Sequence, residues 1–115
     1  MPLYMTHFSY TNDAWHDLIA NPKDREAGIA TLVASMGGRL LGLYYTMGDH
    51  DGFILYESPD AASATAGIMA ALGAGHLKSS HTTSVFTMEE MMEIWRKAGG
   101  QHYAAPQDQL EEGAF

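Results

Sequence analysis

The pentapeptide Gly48-Asp49-His50-Asp51-Gly52 sets two carboxylates and an imidazole within three consecutive residues. Those groups can bind a divalent cation or pass a proton. Consecutive side chains project in different directions, however, so one ion would not collect Asp49, His50 and Asp51 together, and further ligands would have to come from elsewhere. No metal site is expected there. The same residues also suit a tight turn, with Gly48 and Gly52 supplying unusual dihedrals and Asp49 or Asp51 accepting from nearby amides. His50 is kept as a candidate acid or base and Asp51 as a candidate ligand contact.

A second constellation is His7 with His81. Each falls near the middle of a segment with strand character, and the two strands are expected to be antiparallel neighbours. Directly opposite one another, the imidazoles would share a face and could hold a substrate proton, a metal or a haem iron. A one-residue slip would put them on opposite faces. Tyr44 and Tyr45 must likewise point to opposite faces of their strand, one toward the helices and one toward an intersubunit cleft. Tyr45 is the candidate to orient an enolate or phenolic substrate beside the histidines, and Tyr44 a candidate ligand contact. Trp15 and His16, just after the first strand, could cover a planar ligand at a cleft edge, although core packing is the commoner use of such a tryptophan. Met88, Met91 and Met92 fit a docking helix better than a copper site. His76 and His102 are expected at the surface.

These residues depend on the elements that carry them. Residues 3–10 form a half-buried strand pattern, and Asn12 or Asp13 can cap a short helical turn. Asn21-Pro22 interrupts it and restarts a helix with Pro22 at the first position. That helix, over 23–36, has Ile29, Leu32, Val33 and Met36 on one face and Gly37-Gly38 as a left-handed stop. Residues 39–47 and 53–57 make a hairpin around the acidic turn. Ser58-Pro59-Asp60 opens an alanine-rich helix, with Ala62, Ala66, Met69 and Leu72 available for packing and Gly73 and Gly75 at its end. A strand over about 76–86 leads to a helix whose Thr87 and Glu90 have capping-box spacing. The order is a ferredoxin-like βαββαβ sandwich: an α+β fold in which a four-stranded antiparallel sheet carries its helices on one face. Residues 1–98 are taken as the domain and 99–115 as a tail, flexible or docked on a partner.

The strands are too apolar for a sheet with one face in water, so a homodimer or higher homo-oligomer is expected to cover it. Composition agrees, with 46% apolar and 17% charged residues. A formal charge of −8 and the lack of any basic run exclude nucleic acid as a partner. The absence of cysteine removes disulfides, thiolate nucleophiles and Cys-based metal sites. No stretch resembles a secretory leader or a membrane span, so no membrane partner is expected and the cytoplasm is the default. GxSxG, P-loop, GxGxxG and HExxH patterns are all missing, and no cofactor follows from the residues.

The run from Gly37 to Asp51, followed by an apolar strand and Ser58-Pro59-Asp60, resembles the signature region of the GYD family, over about Tyr4 to Trp95. Gly48 and Asp51 match its eponymous motif, while His50 stands where a tyrosine is usual. The resemblance implies a dimeric α+β barrel, a group that includes cofactor-independent monooxygenases, isomerases, haem-handling enzymes and proteins with no known activity. His50 would then either remove a role of the tyrosine or replace it with imidazole. The expected function is an oligomer that binds a small apolar or aromatic molecule, with proton-transfer, oxygenase or isomerase chemistry open; the alternative is a non-catalytic structural or metabolite-binding oligomer.

Overall fold

In the computed structural model, which describes residues 1–107, the elements run β1 (Leu3–Tyr10), α1 (Asn12–Ala20), α2 (Glu26–Ser35), β2 (Arg39–Tyr45), β3 (Gly52–Glu57), α3 (Ala61–Gly73), β4 (Leu77–Val85) and α4 (Met88–Gly99). The strands pair antiparallel in the order β2-β3-β1-β4. This is the expected ferredoxin-like α+β sandwich. Two compact units make up the chain: Met1–Val85, which contains the whole sheet, and a second that begins at Phe86. Of the expected tail, residues 108–115 lie outside the described residues.

Period-two alternation sets the faces of β1. Tyr4, Thr6, Phe8 and Tyr10 are buried, whereas Leu3, Met5 and His7 are only half-buried. The buried set meets helices: Tyr4 and Tyr56 pack with Val33 of α2 and Ala64 of α3, while Phe8 and Tyr10 pack with Ala14 of α1. All three helices of the Met1–Val85 unit thus cover one face. Thr6 would be costly there without partners. Its hydroxyl shares hydrogen bonds with Tyr56 Oη at 2.9 Å and Thr82 Oγ1 at 2.8 Å, linking three strands.

Several local expectations are corrected. Thr11, rather than Asn12 or Asp13, caps α1, its hydroxyl accepting from the Ala14 amide at 3.2 Å. Pro22 does not open α2: Asp24 accepts from the Glu26 amide at 2.9 Å, a side-chain turn that competes with helix and delays it to Glu26. α3 turns a different stripe inward, with Ala64 buried and Ser63, Gly67, Ile68 and Ala71 half-buried, while Met69 and Leu72 are exposed. Nearly every position of this Ala-rich helix is apolar, so composition did not single out the inward face. The acidic turn needs no left-handed glycine either. Among the described residues only Gly37 and Gly75 have positive φ, so Gly48 and Gly52 are not there for dihedral freedom. Gly52 instead begins β3, where a Cβ would lie 2.6 Å from both Phe8 Cζ and the Tyr44 carbonyl oxygen.

Other signals hold. Gly37 ends α2 at φ 82°, and Asp60 caps α3, accepting from the Ser63 amide at 2.7 Å. Hydrogen bonds from Ser63 hold the Asp60 carboxyl below its ordinary range. Within the second unit, α4 carries the full Thr87–Glu90 capping box and a Glu93–Arg96 ion pair. Among the described residues, no helix is long and apolar enough to cross a membrane.

Candidate functional site

The core is thin. No large side chain among the described residues is fully buried, and between the sheet and the helices of the Met1–Val85 unit lies a cavity of about 430 Å³. Its floor is the helix-side face of the strands, including Phe8, Leu43, Ile54 and Tyr56. Its roof comes from α2, through Ile29, Leu32 and Met36, and from α3, through Ala64, Gly67 and Ile68. Of the inward stripe of α2 read from the sequence, Val33 and Ile29 belong to the packed core, and all four residues also border this space. Hydroxyls of Thr6, Tyr10, Ser58, Ser63 and Ser80 border it, with His76, Lys23, Arg25, Asp17 and Glu57. His76, exposed as expected, also borders the cavity. No buried side-chain nitrogen or oxygen among the described residues lacks a partner.

Tyr10, at the end of β1, is tied to the acidic turn. Its hydroxyl hydrogen-bonds that of Tyr45 at 2.9 Å, and its ring meets Trp15 edge-on at a centroid distance of 5.2 Å. Burial and the Tyr45 bond push the Tyr10 hydroxyl well above its ordinary acidity range, so it stays a neutral donor and acceptor. Asp51 Oδ2 accepts from the Tyr10 amide at 2.9 Å and from Trp15 Nε1 at 3.1 Å. Its own amide donates to the Phe8 carbonyl at 2.9 Å. Asp51 thus accepts from a backbone amide, as expected of it, but from one on β1, and from an indole on α1 as well. Trp15, Asp51 and Tyr45 form one cluster.

The histidines occupy the other side of the sheet. His7 stands directly opposite His81, the register that brings both imidazoles to one face. The His50 ring lies 5.1 Å from that of His7 and 6.1 Å from that of His81. Phe53 is 5.6 Å from His7, and Tyr44 stacks on Phe53 at 5.3 Å. The tyrosine on the histidine face is therefore Tyr44, and Tyr45 points to the helices, reversing the grouping expected from sequence. His16 is exposed on α1 and lines neither place. Among the described residues, no group of three or more His, Asp or Glu is placed to hold a metal ion.

Lys23 and Arg25 were missed as candidates. The signal lay in rarity: they are two of six basic residues in an acidic chain, adjacent to the Pro22 break.

Fold and cavity together define a ferredoxin-like α+β domain with a largely apolar, partly open cavity between its layers. The chain belongs to the GYD domain family, whose model matches residues 4–95. Among solved structures, it is similar to the crystal structure of an uncharacterized NIPSNAP domain protein from Burkholderia xenovorans, at 15% identity and a TM-score of 0.43, covering 76% of this chain and 94% of that one. No curated protein matches.

Proposed function

We propose that this GYD-family protein is a binding protein for a small apolar or aromatic molecule, held between its sheet and helices, and that it works as an oligomer. The cavity carries this reading. Its volume of about 430 Å³ lies within the range of ligand sites, and the surface it presents is largely aliphatic and aromatic, with polar groups a minority of it. Water gains little in such a space, whereas an apolar occupant removes both its own surface and the walls from solvent. The oligomer partner proposed is a second copy on the face bearing Tyr44, Phe53 and Leu55, which α1, α2 and α3 leave uncovered.

Native mass spectrometry of the freshly purified chain, with titration of the neutral dye Nile red, tests both parts. The expected result is an oligomer carrying one small adduct, or one displaceable dye, per chain. Gly67→Leu should abolish dye binding, because the added side chain enters the cavity from the middle of α3; its nearest neighbour, Met36 Cγ, is 3.6 Å from the new Cβ. The fold should survive or gain up to about 1 kcal/mol, since glycine is a poor interior helix residue. Dye binding unchanged in Gly67→Leu would sink the cavity reading, and a bare monomer would sink the oligomer.

A second reading rests on the His7–His81 register. Three imidazoles beside Tyr44 and Phe53 suit proton abstraction from an aromatic substrate lying against the histidine face, away from the cavity. Under it, His7→Ala or His81→Ala removes turnover in a substrate screen while assembly and melting temperature stay near wild type. Equal loss of folding would show the pair to be structural.

A further inference from the structure

Lys23 and Arg25 stand together where α1 gives way to α2, and both line the cavity. The ion pairs among the described residues are Arg39–Glu57 and Arg96–Glu93, so neither cation is paired with a carboxylate of the described residues. Each lies on a short non-helical link pinned by the Asp24–Glu26 turn. Arg25 is directed back over α2: a Cβ on Gly28 would lie 3.2 Å from its Nη1. Its charge also lies within electrostatic reach of the Tyr10 hydroxyl. The lining contains two acids. Glu57 is engaged by Arg39 at 3.0 Å, and Asp17 makes no ion pair among the described residues.

We infer that the occupant is an anionic amphiphile: an apolar or aromatic body with a single carboxylate, its charge meeting Lys23 and Arg25 and its body lying along Ile29, Leu32 and Ile68. This rests on the cavity reading above and names the ligand class for it. A planar carboxylate matches the guanidinium fork, and the ammonium adds a second point charge. Asp17 disfavours a doubly charged head group such as a phosphate monoester. In a chain of net charge −8, long-range electrostatics repel any anion, so a preference for one must come from these two local cations.

The test is calorimetric titration of the full chain at low salt with decanoate and, separately, decan-1-ol, which share the tail and differ in head group. Wild type is expected to bind decanoate at least about tenfold more tightly, roughly the effect of one charge-assisted contact. Lys23→Gln/Arg25→Gln should lose that preference while keeping its affinity for the alcohol. Equal wild-type affinity for the two ligands would overturn the anionic head group and leave the cavity reading standing. Failure of wild type to bind either would remove both. Parallel loss of acid and alcohol in the double variant would show Lys23 and Arg25 to be structural, and would overturn the inference.

Discussion

Asp51→Ala is expected to lower stability by about 3 kcal/mol and the melting temperature by on the order of 10 °C, because one oxygen of this carboxylate holds two donors from distant parts of the chain. Without it the Tyr10 amide at the end of β1 and the indole N–H of Trp15 lose their acceptor together, and α1 loses its tie to the hairpin. Hydrogen bonds to a charged group contribute roughly 1.5–3 kcal/mol each, and the partial exposure of Trp15 lets water recover some of the second. Asp51→Asn separates charge from geometry. Both donors meet Oδ2, so a carboxamide oxygen in that place keeps both bonds in neutral form, and the loss should fall to about 1 kcal/mol. Thermal and urea melts of the two variants measure the difference. Equal losses would mean that a neutral oxygen in that place recovers nothing and the whole effect lies in the charge, and no loss in either would remove Asp51 as the joint between turn and helix.

Gly38→Ala is expected to cost about 3 kcal/mol for a steric reason. The new Cβ would lie 2.1 Å from the Glu57 carbonyl oxygen and 3.1 Å from Val33 Cγ1. The first of these is backbone, so no rotamer change relieves it; β2 must move away from the end of β3, or α2 must lift from the sheet. Gly48→Ala is the contrast. Nothing lies within 4 Å of its Cβ position and its φ is not positive, so that variant should match wild type within about 0.5 kcal/mol. Urea unfolding of the pair decides the matter: comparable midpoints would show that the strand ends yield far more readily than close packing implies.

The elements were largely legible because each is announced by a local device. Thr87 and Glu90 start α4, Asp60 starts α3, Gly37 stops α2, and the alternation of Tyr4, Thr6 and Phe8 gives β1 an inward face. Position opposite a neighbour was not local. The pairing of His7 with His81 is fixed by the whole β1–β4 ladder, and either register was open from the residues alone. The exchange of Tyr44 and Tyr45 has the same origin: which of two adjacent residues points inward depends on β2's pairing, and that ladder shifts register between Leu40 and Gly42. Asp51 could be marked as an acceptor from its type, but its partners lie about forty residues earlier and appear only when β1 passes the turn. The cavity was the least legible. Apolar periodicity marks which residues face inward, and it is silent on whether opposing faces touch.

Opposing faces that stand apart have an evolutionary side. Phe8, Tyr10, Ala14, Val33, Tyr56 and Ala64 belong to the packed clusters and also border the cavity, whereas Leu32, Ile68 and Ala74 border it without belonging to either cluster. Substitutions at those three positions change the interior shape with less loss of cohesion than substitutions at the six. Drift in what one backbone accommodates is therefore confined to a few codons, and at the others selection on cargo and selection on foldability act together.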